Sequence, residues 1–188
     1  MLIKLAGGII MELDTKCFKR DALLGALGAA LMAAGDLSLS LIAPNNSDSG
    51  LYVRESYMNG SYGLWRPVFL LVTGILGMFF YSFGVKAMHD IIKPECKKLR
   101  FLVKYGGIGY ICSGAALHFF IGSLSYWIAF LSAEFDRETA IKAVDSYYNR
   151  FIGAEYLLYI PIAALMIGSF AAVVSGRTYM PKKMAVFH

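Results

Sequence analysis

Charge is scarce in this chain: only 16% of its 188 residues are Asp, Glu, Lys or Arg, and 57% are hydrophobic. Soluble domains carry about a quarter of charged residues, so an ordinary soluble fold is excluded and the bilayer becomes the expected solvent. Cysteine is also scarce. Cys17, Cys96 and Cys112 are far apart and form no Cys-x-x-Cys pair, which argues against a zinc knuckle and against a disulfide framework. Histidine occurs three times, at His89, His118 and His188. No Gly-x-Ser-x-Gly, His-Glu-x-x-His, Walker or dinucleotide-binding pattern is present. No cofactor is therefore expected, no metal ligands are assigned, and the balance of motifs is against an enzyme without deciding the point. The net charge of +5 does not indicate nucleic acid, because no basic face with interleaved aromatics accompanies it.

What the chain does contain is long apolar runs. A hydrocarbon core of about 30 Å needs roughly 20 apolar residues as a helix. Four runs meet this, at residues 22–43, 67–88, 105–131 and 152–175. The expected fold is all-α, a polytopic transmembrane bundle forming a single domain over 1–188. Pro44 and the turn-rich Asn45 to Gly50 close the first run, and Pro67 suits the opening turn of the second. Between the third and fourth runs, Ala140, Ile141, Val144, Tyr147, Tyr148 and Phe151 recur at helical spacing opposite Glu138, Lys142, Asp145 and Asn149. This predicts a short amphipathic helix over 136–150, with Asp136 as its N-cap.

Of the 18 Lys and Arg residues, thirteen fall on one side of the four spans and five on the other. The positive-inside rule then puts both termini, the segments 1–21 and 176–188, and the Lys86 to Lys104 loop in the cytoplasm of a cell membrane. Tyr62, Trp65, Tyr126 and Trp127 fall near the outer interface, where amphipathic rings prefer to lie. The Asn45 and Asn59 sequons also face outside. Lys93, Lys97, Lys98, Arg100 and Lys104 form a basic cluster that either attracts anionic lipid or only records orientation. No cleavable signal peptide is evident. The opening Gly7, Gly8, Ile9, Ile10, Met11 reads like a translated ribosome-binding sequence, making Met11 the expected start of a bacterial protein. Pro181 to Phe187 reads either as the entry to a further span or as a short surface tail.

Three spans carry an ionisable group. On the first, Gly25, Ala29 and Ala33 make a small-residue face shared closely by Asp36 and Ser40. On the third, Gly114, His118 and Gly122 are spaced by four, which puts His118 in a packing groove near mid-membrane. On the fourth, Glu155 precedes Tyr159 by one turn, and Pro161 deprives the Leu157 carbonyl of its partner, predicting a kink or a locally open helix. A carboxylate in hydrocarbon costs at least about 2.5 kcal/mol and calls for a counter-charge, water or a proton. Arg66, entering the second span from the same side, is the expected partner of Asp36. The expectation is an outward-opening ligand pocket of Asp36, Arg66, His118 and Glu155, with Ser40, Tyr126 and Tyr159 as hydrogen-bonding members. Each residue also has a bland reading. Asp36 with Arg66 can be a register-fixing ion pair, His118 a neutral packing histidine, and Glu155 a carboxylate wetted by the headgroups.

Gly35-Asp36-Leu37, Trp65-Arg66, the Tyr81 to Gly84 stretch, Ala116-Leu117-His118, Ser175-Gly176 and Pro181 resemble an uncharacterised family of small multi-spanning bacterial membrane proteins. The resemblance implies further spans beyond His188 and names no activity. Three function classes stand against each other. A carrier or binding protein would hold a small polar solute or proton in the pocket. A membrane-embedded hydrolase would bind a metal through Asp36, His118 and Glu155. A non-catalytic assembly or regulatory subunit would use the glycine-lined faces for partner transmembrane helices. Apart from these, the partner expected is the lipid bilayer.

Overall fold

The computed structural model describes residues 15–41, 55–59, 61–157 and 159–180. The expectations about Met11, the turn around Asn45 and the tail beyond residue 180 lie outside the described residues. Within them the elements are six helices: α1 (Thr15–Ser40), α2 (Glu55–Met58), α3 (Trp65–Asp90), α4 (Lys97–Glu134), α5 (Arg137–Tyr156) and α6 (Tyr159–Val174). The fold is all-α, and α1, α3 and α4 are each long and apolar enough to cross a membrane. With 38 residues, α4 rises about 57 Å and exceeds the hydrocarbon thickness.

Of the two outcomes expected at Pro161, the fourth apolar run shows an interrupted helix and not a kink in a continuous one. The amphipathic helix expected to stop near residue 150 continues to Tyr156, and α6 begins at Tyr159 with only 16 residues. That is about 24 Å of helix, shorter than the other three apolar helices. Pro161 explains the division. It has no N–H to offer Leu157, so α5 ends there and Pro161 falls in the first turn of α6, where a missing donor costs nothing. At its start α5 is capped as expected. Asp136 Oδ1 accepts from the Thr139 backbone N–H (3.0 Å) and its Oδ2 from the Thr139 hydroxyl (2.7 Å). These bonds favour the carboxylate and hold Asp136 below its ordinary carboxyl range.

The packing resolves into two compact units. One comprises residues up to 28, 79–111 and from 160 onward. Here α1 and α3 meet at Gly25 and Gly84, whose backbones touch so closely that a Cβ on Gly25 would overlap the Gly84 Cα. Gly106 and Gly109 of α4 admit α6 in the same way, against Leu165 and Pro161. Val85, Ile92, Val103, Leu165 and Ala172 form the buried cluster. Gly176 adopts a left-handed φ of 68° and ends α6, with the Arg177 N–H donating to Ala172 O (2.9 Å) and the Gly176 N–H to Val173 O (3.0 Å). The chain then pairs with the α3–α4 connection. The Lys93 N–H donates to Arg177 O (2.9 Å) and the Tyr179 N–H to Ile91 O (3.0 Å). The start of α1, the end of α3, the start of α4 and α6 from Ile160 onward thus share one unit.

The other unit comprises residues 29–78 and 112–159. Tyr57, Tyr62, Leu124, Ile128, Ala140 and Val144 are its buried cluster, joining α2, α4 and α5. Ala140 and Val144 come from the face of α5 that the apolar spacing marks out, and Phe120 of α4 stacks on Tyr147 at 5.6 Å.

Candidate functional site

Within this second unit, α3 and α4 run antiparallel with small residues where they approach. Gly114 meets Met78, His118 lies against Gly74, and Gly122 meets the Pro67 carbonyl and Leu71. A Cβ on Gly74 would occupy the place of the His118 ring. The four-residue glycine spacing therefore places His118 in the α3–α4 groove, as its sequence position predicts. From the other side, Gly35 of α1 packs on Thr73 and Leu70 of α3. The Thr73 hydroxyl is turned to its own helix, donating to Phe69 O (2.7 Å).

This packing brings two of the expected site residues together. His118 Nδ1 lies 3.8 Å from Asp36 Oδ1, with the His118 side chain 11% exposed and that of Asp36 65% exposed. The separation is an ion-pair contact, longer than a direct hydrogen bond. One member is embedded between helices and the other opens outward. A carboxyl and an imidazole are both groups able to hold a proton, and this packing sets them side by side.

Arg66 does not pair with Asp36. Its guanidinium donates to Ser38 O at 3.1 Å in the last turn of α1 and to Leu41 O at 3.4 Å just past it, and lies over the rings of Tyr62 and Trp65. The reason is physical. The C-terminal end of a helix offers unpaired carbonyls and a negative dipole end, and this end of α1 is within reach of the start of α3. Tyr126 also goes elsewhere. It stacks on Phe130 and lines a cleft of about 160 Å³ with Pro67, Leu71, Gly122 and Trp127. Tyr159 is exposed at the first residue of α6. The side chains of Ser40 and Glu155 lie outside the described residues, although both positions are helical. Among the described residues no group of three or more His, Cys, Asp or Glu side chains converges as metal ligands would.

A second polar network, in the first unit, escapes the sequence reading. Asp21 is fully covered and receives Lys86 Nζ on Oδ2 at 2.7 Å and the Arg20 guanidinium on Oδ1 at 2.8 and 3.0 Å. Lys86 also reaches Asp90 at 2.9 Å. Asp90 faces His89 Nδ1 at 3.1 Å, and the Arg100 Nε–H donates to His89 Nε2 at 3.2 Å. Since that ring nitrogen accepts, His89 carries its proton on Nδ1 and donates to Asp90. The available signal is spacing: Asp21 lies one turn before Gly25, and Lys86 two residues after Gly84, so the Gly25–Gly84 contact aligns them.

No curated protein and no solved structure matches the chain. A family model does, over residues 13–188, and its description is a family of unknown function. The chain therefore belongs to that family, DUF6796.

Proposed function

We propose that this chain is a multi-pass cell-membrane protein, acting as one transmembrane domain, that binds or carries protons or a small polar solute, with Asp36 and His118 as its titrating pair. The observation that supports this most is the 3.8 Å approach of the two side chains within a groove kept open by Gly74. An ionised carboxylate facing hydrocarbon is costly, so an Asp36 that opens outward needs water, a counter-charge or a proton. His118 supplies a second proton-holding group beside that carboxylate. Loading one proton on the pair cancels the net negative charge of the carboxylate beside a neutral imidazole, and loading a second leaves a net positive site. Both steps alter what polar or anionic solute the site tolerates. In this reading Arg66 secures the end of α1, Glu155 and Ser40 are further polar groups of the site, and both termini lie in the cytoplasm.

The test is flux or binding by the purified protein in proteoliposomes, followed with an entrapped pH-sensitive dye across an imposed pH gradient. The proposal expects pH-dependent proton movement or solute uptake that is lost in both Asp36→Asn and His118→Gln, while helicity and thermal unfolding stay close to the unsubstituted chain. Activity that ignores pH and survives both substitutions refutes it.

A further inference from the structure

The basic cluster at the start of α4 is divided by the structure into two groups with different tasks. Lys93 and Arg100 are turned inward. Lys93 Nζ donates to Gly176 O at 3.1 Å at the end of α6, and Arg100 donates to His89 Nε2 and to Ile92 O. Lys97, Lys98 and Lys104 are exposed, and among the described residues no ion pair engages them.

These three lysines do not stand alone on the helix surface. Lys97, Phe101, Lys104 with Tyr105, and Ile108 follow one another at three- to four-residue spacing, and so share one stripe of α4. Phe101 is 61% and Tyr105 52% exposed; their rings lie 4.5 Å apart, and Lys104 Nζ rests 5.6 Å from the Tyr105 ring centre. Along the helix the stripe passes from Lys97 through Phe101 and the Lys104–Tyr105 pair to the aliphatic Ile108, and a lysine side chain at Lys104 leans back toward the start of α4 because helical side chains tilt to the N-terminus. That is the order of polarity met in going from a lipid headgroup layer into the acyl chains. Aromatic rings settle at the interface, and lysine stems lie along apolar surface with the charge directed to the headgroups.

We propose that Lys97, Lys98 and Lys104 form a binding surface for anionic phospholipid headgroups, with Phe101 and Tyr105 packed against the upper acyl chains. The lipid phosphate supplies the counter-charge that no acidic side chain among the described residues gives these three lysines. Glu95 is the exposed acidic residue of this stretch and is outnumbered. Each basic residue near an anionic surface favours anionic over neutral lipid by about fivefold, so the three together give up to about a hundredfold. The attraction weakens as salt shortens the Debye length, which is about 10 Å at 0.1 M.

The experiment uses the full chain in mixed phosphatidylcholine and phosphatidylglycerol nanodiscs, released into mild detergent, with retained lipids counted by native mass spectrometry. Phosphatidylglycerol should be retained in preference to phosphatidylcholine. The preference should fall by about a hundredfold in the triple variant Lys97→Gln, Lys98→Gln, Lys104→Gln. The triple arginine variant at the same positions should keep it, which separates loss of charge from loss of fold. Lys93→Gln should lower thermal stability and leave the preference unchanged. Equal retention of both lipids by the unsubstituted chain, an unchanged preference in the triple glutamine variant, or displacement of the lipid by millimolar inorganic phosphate overturns the proposal.

Discussion

Replacing Lys86 by Gln should loosen the contact between the start of α1 and the end of α3 by a measurable and coupled amount. Asp21 has no exposed side-chain surface and is held by Lys86 on one oxygen and Arg20 on the other. Stripping one partner from a deeply buried pair costs about 3–5 kcal/mol, because the remaining charge is left without compensation. Two features reduce that here. Arg20 still holds Oδ1, and Asp21 is covered mainly by the cations themselves, whose side chains are 62% and 55% exposed, rather than by a thick protein interior. The loss then resembles that of a hydrogen bond to a charged group with water nearby, and about 1–2 kcal/mol is expected. Asp21→Asn alone should cost a similar amount. The double variant should cost less than the two singles together, since residues in one network do not act additively. Reversible unfolding in mixed micelles titrated with dodecyl sulfate measures all three, with the exposed Lys97→Gln as control. A Lys86→Gln change within about 0.5 kcal/mol of the unsubstituted chain, the range of ordinary surface substitutions, refutes this reasoning, as does strict additivity of the two singles.

Gly74→Ala should force its new methyl group into the space of the His118 ring, at an overpacking cost of about 1–3 kcal/mol in thermal unfolding. The same substitution made together with His118→Ala should recover most of that loss, since the clashing ring is gone. For Asp136, stabilisation by a lowered carboxyl pKa is fully present above the unfolded-state value and is lost as pH falls through the folded-state value. Amide exchange at residues 137–140, corrected for intrinsic rates, should therefore accelerate as the solution is acidified below the ordinary carboxyl range, and Asp136→Ala should remove that pH dependence.

Much of the architecture is legible in the chain because its causes are local. Apolar length marks α1, α3 and α4, and a single amphipathic period marks α5 and correctly turns Ala140 and Val144 inward. The Gly114, His118, Gly122 spacing is equally local, and it suffices to put the imidazole in a helix groove. The break between α5 and α6 is harder to read, because apolar residues on both sides of it make 152–175 one run despite Glu155, while the backbone obeys Pro161. Partner choice is harder still. Arg66 and Asp36 have opposite charge and similar depth, yet a guanidinium at the start of one helix finds the free carbonyls ending another, which no charge pattern reports. Asp21 is hidden for a related reason. It precedes the apolar run and reads as part of a cytoplasmic segment, whereas α1 already begins at Thr15 and carries it into contact with Lys86.

The central claim is that Asp36 and His118 form one proton-binding pair. Infrared difference spectroscopy of the reconstituted protein, taken between neutral and acidic pH, tests this most directly because it sees carboxyl protonation itself. The account predicts a carboxylate-to-carboxylic-acid difference signal that disappears in Asp36→Asn and whose midpoint moves in His118→Gln. The same difference spectrum in the unsubstituted chain and in Asp36→Asn, or a midpoint indifferent to the loss of His118, would contradict it.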